Sequence, residues 1–501
     1  MNRRDFLKLT GVAAPALLLP GVFSKLHSPQ TQGSQPNIII LLFDALSARN
    51  MSVYGYQRNT TPNIARFAER ATVYHSHYAG GNYTIPGVAS LLTGTYAWTN
   101  RALNHSGVIK RTLAEHNIFR VFGMDYQRVS FPQSVWSSFI VTQFANDLDL
   151  ILPSGTFGEV DYLLSDFFAH DQNLAARALD DFVFVPNEAP ASLLLGSLYK
   201  ALYARESAQV SSAGYPRGIP HNVNYPLQFR LESLFEGLAS FIQSLSSPYI
   251  SYLHLFPPHA PYRSTERFFG TFLDGFNPPN KPHHRFADMF SNADLRDARR
   301  SYDEYIASLD WEFGRLLDAL DSAGIFENSY VVLTSDHGEM FERGEKAHST
   351  PLLFDPVVHI PLLISAPGQT SRNDIYSATS AVDLLPTFTH LAGKPTPVWC
   401  EGTLLPGLGG ETDDERSLFV IEAKSNSALR PLTKATVAMR KGNHKLVYYT
   451  GYDAEDSFEL YDLAEDIEEL EDLYPAGPSF AQPLKEELLE SLFEANKPYM
   501  K

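Results

Sequence analysis

Cysteine is almost absent. The 501-residue chain holds one, Cys400, which excludes an internal disulfide and any cysteine-rich zinc or iron–sulfur site. Positive charge is scarce as well. Lys and Arg number 40 against 57 Asp and Glu, a formal net charge of −17. Such a chain lacks the broad positive field that nucleic-acid binders set against phosphates, although a local cationic pocket for one anion is compatible with it. No Gly-x-Gly-x-x-Gly fingerprint and no P-loop occurs, so dinucleotide and NTP-motor readings have no support. The acidic stretch from Asp453 to Asp472 lacks the ligand order of an EF-hand and reads as a solvated face. What is present is globular: 44% of residues are hydrophobic and 12% aromatic, ample for a sizeable core. At roughly 150 residues per domain, the length fits two to three domains or one large domain with an appendage.

The N-terminus carries an export pattern. Arg3-Arg4 with Phe6-Leu7-Lys8 matches a twin-arginine signal, and a small, apolar run follows from Gly11 to Phe23. That run falls short of the roughly 20 residues that span a bilayer, so no stable membrane span is expected. The twin-arginine machinery carries folded proteins, which suits a chain that loads a metal first and needs no disulfide. A periplasmic or otherwise extracytoplasmic location follows. The run ends without an Ala-x-Ala cleavage site, which leaves cleavage and retention as an anchor both open. Residues 1–24 are read as this signal and 25–35 as a polar linker.

The mature chain begins with the continuous apolar run Asn37–Phe43, bounded by Pro36 and Asp44, which reads as a strand buried on both faces of a parallel sheet. Similar runs recur at Tyr249–Phe256, Tyr330–Thr334 and Pro361–Ala366. Between them, Ile306, Leu309, Phe313, Leu316, Leu317 and Leu320 repeat at helical spacing within Tyr302–Ala323, and Gly324 closes that helix. Strands alternating with helices predict an α/β sandwich around a mainly parallel central sheet, and ligands gather at the carboxyl ends of such strands. Asp44, His254 with His259, and Asp336-His337 all stand at or just beyond strand ends. Residues 130–245 are irregular and read as an insertion over the site. After about 395 short strands, Thr436–Arg440 and His444–Tyr449, predict a small α+β subdomain over 396–501.

These segments resemble the sulfatase branch of the alkaline phosphatase superfamily. The likeness runs from Pro36 to Tyr474 through Pro36–Asp44, Thr61-Pro-Asn63, Thr84–Gly94, His254–Tyr262, Thr334–Glu339 and Val382–Thr387, with Lys445–Tyr449 and Glu459–Leu463 near the end. It implies an alkaline-phosphatase-like sandwich over 36–395. Sulfatases carry Cys-x-Pro-Ser-Arg followed by Leu-x-Thr-Gly, and the cysteine becomes formylglycine. Here Pro86 and Leu91-Leu92-Thr93-Gly94 align without gaps, which puts Thr84 on the nucleophile position, with Gly87 and Val88 where serine and arginine stand. Threonine cannot become formylglycine. Its hydroxyl can attack phosphorus instead, as in the hydroxyl-nucleophile members of the superfamily. A threonine before Pro86 would also serve as a helix cap.

The resemblance further implies that Asp44, Asp336 and His337, with Thr84 Oγ, hold one divalent ion. That donor set suits Mn²⁺, Mg²⁺, Ca²⁺ or Zn²⁺. Ala45 occupies the place of a second aspartate, and His337 that of an asparagine common in calcium sulfatases; both departures favour a Mn²⁺-like or Zn²⁺ site. His259 and His348 are expected to bind the transferred group and serve the leaving oxygen, with Lys346 as the alternative to His348. His254, inside an apolar strand, is expected to be a hydrogen-bonded core residue. The function read from this is an exported, metal-dependent hydrolase of a sulfate or, more naturally, phosphate ester or diester. Its substrate would be a small-molecule, glycan or lipid-linked anionic ester, cleaved through a covalent Thr84 intermediate. The alternatives are a phospho-group transferase acting on a glycan or lipid hydroxyl, and a non-catalytic binding protein of the same fold.

Overall fold

A computed structural model of the chain describes residues 35–105, 107–159, 205, 210–222 and 227–500. The expected export segment with Arg3 and Arg4, and all but the last residue of the linker, lie outside the described residues.

The centre is an eight-stranded sheet in the order β11-β2-β10-β7-β1-β6-β4-β5. Its strands are β1 (Asn37–Phe43), β2 (Thr72–Tyr74), β4 (Gln127–Pro132), β5 (Leu150–Ile151), β6 (Tyr249–Leu255), β7 (Ser329–Thr334), β10 (Leu362–Ser365) and β11 (Asn373–Ile375). β1 and β6 are buried along their whole length, as uninterrupted apolar runs must be when helices cover both faces. β1 pairs in parallel with β6 and β7, and β4 in parallel with β6 and β5. β10, one of the apolar runs, is antiparallel to both β7 and β2. No crossover helix precedes it: β8 (Met340–Glu342), β9 (Glu345–Ala347) and the single-turn helix Asp355–Val358 fill the connection, and parallel pairing needs a longer return.

Helices lie on both faces. On one, the helix Asn292–Ser322 packs Ile306, Leu309, Phe313 and Leu320 into a cluster shared with Leu231–Ser244 and Pro62–Ala68. It starts ten residues before the expected Tyr302, capped by Ser291, whose side chain accepts from Asp294 N. Its first turn is exposed and so carries no apolar signal. On the other face lie Thr84–Thr93, Val135–Gln143 and Leu384–Leu391. The span expected as an insertion, 130–245, therefore contributes β4, β5 and the helix Leu231–Ser244 to the sandwich itself, while residues 160–204 within it lie outside the described residues. A two-stranded pair joins β3 (His77–Tyr78) to β12 (Thr379–Ser380). No helix among the described residues is long and apolar enough to cross a membrane.

The C-terminal part is an antiparallel meander of β13 (Leu418–Glu422), β14 (Ala435–Lys441), β15 (His444–Thr450) and β16 (Ser457–Asp462), backed by the helix Ala481–Asn496. Lys445 of β15 is buried and donates to Asp355 Oδ1 at 2.8 Å and Glu469 Oε1 at 2.7 Å. This triad fastens the meander to the segment around Asp355. Removing one member of such a group strands the others as uncompensated buried charge. Lys445→Met is expected to cost about 3–5 kcal/mol of unfolding free energy, read from the denaturant midpoint at unchanged slope.

Candidate active site

Sheet register assembles the site. Leu42 of β1 is level with His254 of β6 on one side and Thr334 of β7 on the other. Two residues further along β1 and β7, Asp44 and Asp336 leave the sheet side by side. Both are buried, at 0% and 1% exposure. The chain turns at once after β1: Ala45 adopts a positive φ of 63°, and its N–H donates to Asp336 Oδ1 at 3.2 Å. Ser335 Oγ ties the two loops, donating to Phe43 O while Leu46 N donates to it. Two glycines permit the approach. A Cβ on Gly87 would stand 2.3 Å from Asp336 O, and one on Gly338 2.2 Å from Pro356 O. Gly87 thus lets the helix Thr84–Thr93 seat its first turn against the Asp336 loop, where a serine would collide.

Thr84 begins that helix but does not cap it. Tyr83 holds the cap position, with no side-chain cap bond. Thr84 Oγ1 lies 3.5 Å from His337 Nε2. His337 Nε2 is in turn 3.4 Å from Asp44 Oδ1 and 3.6 Å from Asp336 Oδ2. Asp44, Asp336 and His337 offer ligand atoms all within 4.8 Å of one another, and neither Asp44 Oδ1 nor Asp336 Oδ2 has a hydrogen-bond partner. Two unsatisfied buried carboxylate oxygens facing one imidazole nitrogen fit a divalent cation, with oxygen and nitrogen donors of the hard to borderline kind. The electrostatics agree. Burial and the charge of Asp44 push Asp336 up. Burial also acts to raise Asp44, but His259, His254 and His337 hold it well below the usual carboxylate range. Burial disfavours a charged His337, yet Asp336 and Asp44 raise it to about 9. The pair of carboxylates draws positive charge to this point.

The imidazoles are held in defined tautomers. His337 Nδ1 donates to Gly338 O at 2.9 Å, which reserves Nε2 for the cluster. His254, expected as a hydrogen-bonded core residue, is fully buried but reaches the site. Its Nε2 is 3.2 Å from Asp44 Oδ2, and its Nδ1 is 2.9 Å from Tyr252 Oη. Burial keeps the Tyr252 phenol protonated, so Tyr252 donates to Nδ1 and Nε2–H donates to Asp44. His348 Nδ1 bonds Glu339 Oε1 at 3.0 Å, and its ring lies 4.1 Å from that of His337 and 5.0 Å from that of His259. Burial, then the neighbouring His337, pushes His348 down to about 4. His259 Nδ1 donates to Ala260 O at 2.8 Å. Lys346 is not brought in: it is exposed on β9, its ammonium 5.9 Å from the ring centre of Phe290.

Other residues join that the sequence did not single out. Glu339 orients His348. Asn82 Nδ2 donates to the carbonyls of His348 and Thr350, both at 2.7 Å. Lys424, just past β13, donates to Ser349 O at 2.7 Å, and Ser349 Oγ meets His105 Nε2 at 2.8 Å. The only signal for Glu339 was its place in Thr334–Glu339; for Lys424 and His105 there was none. Other described histidines lie elsewhere, as His75 against Asp374 and His284 against Glu459.

Comparison with known proteins decides the family. The model described as Sulfatase matches residues 36–137 and 204–394. The chain belongs to the sulfatase family. A second model, N-sulphoglucosamine sulphohydrolase, C-terminal, matches residues 346–497 of this sulfatase. A choline-sulfatase of Rhizobium meliloti (strain 1021) is 24% identical over 469 residues, 89% of this chain and 84% of that protein. An N-acetylglucosamine-6-O-sulfatase of Bacteroides thetaiotaomicron is 24% identical over 541 residues, 99% of this chain and 93% of its own. Among solved structures, the phosphonate monoester hydrolase of Agrobacterium radiobacter superposes with a TM-score of 0.65 at 18% identity, covering 93% of this chain and 96% of that one. The fold is that of the alkaline phosphatase superfamily, and the chain is a sulfatase-family hydrolase.

The cluster makes a direct test available. Adding a divalent cation to the metal-stripped protein is expected to stabilise it by about 2.7 kcal/mol at a hundredfold excess over Kd. Asp336→Asn should gain little, and elemental analysis should find less metal in it and in His337→Ala. Without metal, Asp336→Asn is expected to be at least as stable as the parent, because one of two facing charges is gone. Full metal occupancy in both variants would remove these residues from the site.

Proposed function

We propose that this sulfatase is an exported, divalent-cation-dependent hydrolase that cleaves a phosphate ester or diester in preference to a sulfate ester, with Thr84 Oγ1 as nucleophile. The observation that carries the reading is Thr84 Oγ1 at the start of a helix, 3.5 Å from His337 Nε2 and beside the buried carboxylate pair. It occupies the position where sulfatases oxidise a cysteine, and a threonine gives no aldehyde hydrate. Asp44, Asp336 and His337 would hold the cation, which supplies neutralisation of the negative charge that develops at the substrate and at the attacking oxygen.

The chain's own groups supply the rest. The helix N-terminus adds positive potential at Thr84 Oγ1. Above about pH 4 His348 is neutral. With Nδ1 committed to Glu339, its Nε2 is a proton acceptor suited to the proton that Thr84 releases on attack. His259, whose Nδ1–H is committed to Ala260 O, would as the imidazolium give the proton on Nε2 to the leaving oxygen. The ester oxygen leaves as phosphorus bonds to Thr84 Oγ1, and water then releases the group from Thr84. The glycan and choline esters named for the relatives support a small anionic ester as substrate. A sugar sulfate or a phosphate ester of similar size both meet the same charge requirement.

Thr84→Ala is expected to lower kcat/KM about a thousandfold or more on phosphate mono- and diesters while metal content stays at the parental level. Thr84→Ser should keep partial activity. Rapid quench followed by mass spectrometry should find a phosphoryl adduct on the Thr84 peptide. Near-parental turnover in Thr84→Ala without an adduct would overturn the covalent route. Release of the group to an added glycan or lipid hydroxyl rather than to water would favour the transferase reading.

The Arg3-Arg4 pair supports export of the folded chain. Replacing both by lysine keeps the charge but alters the guanidinium pair that the export receptor reads. The precursor is then expected to stay in the cytoplasm, as fractionation would show.

A further inference from the structure

Away from the catalytic cluster, five cationic side chains gather around one pair of cavities. Between the segment 48–57, the strap Phe276–Lys281 and the long helix lies a cavity of about 550 Å³, and a second of about 230 Å³ continues beneath the same strap. The two share Asn277–Lys281, Arg299 and Glu342. None of Asp44, Thr84, Asp336 or His337 lines either. Their walls carry Arg49, Lys281, Arg296, Arg299 and Arg343 against only Glu342 and Glu468. Those two carboxylates are already shared. Lys281 lies 2.9 Å from Glu342 and 2.8 Å from Glu468, Arg299 lies 3.5 Å from Glu342, and Arg49 3.3 Å from Glu468. Among the described residues Arg296 makes no ion pair. The nearby Asp303 is committed to Arg58, Tyr56 and Asn50.

An excess of three positive charges, half-enclosed, is costly unless an anion shares the space. Arg299 is 8% exposed and its Nε has no hydrogen-bond partner; His359, also 8% exposed, carries none at either ring nitrogen. A guanidinium edge with an unused donor is suited to a tetrahedral or planar oxyanion. The remaining wall is flat and apolar or aromatic, from Tyr54, Tyr56, Phe276 and Pro278-Pro279. Stacking faces beside a cationic floor suit a sugar ring bearing an anionic substituent.

We infer that this double cavity is a second binding site, for an oxyanion carried by a monosaccharide-sized molecule or for the free inorganic oxyanion. It is distinct from the catalytic cluster and does not depend on the reaction assigned there. The two are nonetheless mechanically adjacent. Ala48 N donates to His359 O at 3.1 Å and Gly338 N to Val357 O at 2.6 Å, so the cavity wall is hydrogen-bonded to the loop that follows His337.

Equilibrium dialysis of the metal-loaded, full-length protein with radiolabelled inorganic sulfate, and separately with glucose 6-sulfate, tests this, with unmodified glucose as the control. Arg296→Glu alters an exposed position and Lys281→Met a buried one. Each is expected to weaken one sulfate- or sugar-sulfate-binding event about tenfold or more, with phosphate-ester turnover at low ligand unchanged. Preference for glucose 6-sulfate over inorganic sulfate assigns the site to the sugar-borne anion, and the reverse to the free ion. Binding that neither variant alters, or no saturable binding in the parent, would overturn the inference. Loss of activity in Thr84→Ala with this binding retained would separate it from the catalytic reading.

Discussion

Two carboxylates buried side by side set the terms for the rest of this structure. Asp44 and Asp336 sit at the ends of adjacent parallel strands with almost no exposure, in surroundings where each ionised group would cost several kcal/mol without compensation. The compensation is assembled from every side. His254 donates to the outer oxygen of Asp44, Ala45 and His337 backbone N–H groups donate to Asp336 Oδ1, and His337 presents its nitrogen to the inner oxygens. One oxygen of each carboxylate is still left without a partner. Positive charge between them, or a proton on Asp336, balances the pair. The chemistry of the site follows from that requirement, since the charge that balances the carboxylates also attracts an anionic ester.

The sheet explains why the pair can exist. A parallel strand set in register delivers residues from distant parts of the chain to one edge, and the interior position of β1 gives Asp44 neighbours on both sides. The close approaches are then backbone problems, met by Gly87 and Gly338, where any side chain would strike a carbonyl. The departure from the sulfatase sequence pattern at Gly87 and Val88 reads differently in this light. Val88 is fully buried in apolar surroundings, so the position that carries arginine in relatives here serves the core. Lys424, on the segment that follows β13, donates to the carbonyl of Ser349, next in sequence to His348.

Much of this was legible in the sequence, for reasons that can be stated. β1, β6 and β7 announce themselves because strands covered on both faces must be continuously apolar, and the acids and histidines that end those runs stand out against them. Asp44, Thr84, His259, Asp336, His337 and His348 come together in space. The antiparallel direction of β10 was not legible, because an apolar run has no polarity. The first ten residues of the long helix were hidden by an exposed, charged start. His254 is the buried, hydrogen-bonded strand histidine that was expected, but only the register with β1 shows that its partner is Asp44. Lys346 and His348 are two residues apart and would share a face in a regular strand. Ala347, at a φ of 111°, breaks the alternation and leaves only His348 beside His337.

What no local pattern could reveal is that residues beyond 420 are hydrogen-bonded to the segment beside His348. Lys424 bonds the Ser349 carbonyl beside His348, and Lys445 fixes Glu469 to Asp355, four residues before the His359 carbonyl that holds Ala48. The meander is therefore part of the active-site wall. A perturbation that loosens the Lys445 triad should first be felt in the His348–Asp355 segment, which carries the imidazole next to the metal ligands. The C-terminal sheet and the segment that carries His348 are therefore coupled through these hydrogen bonds.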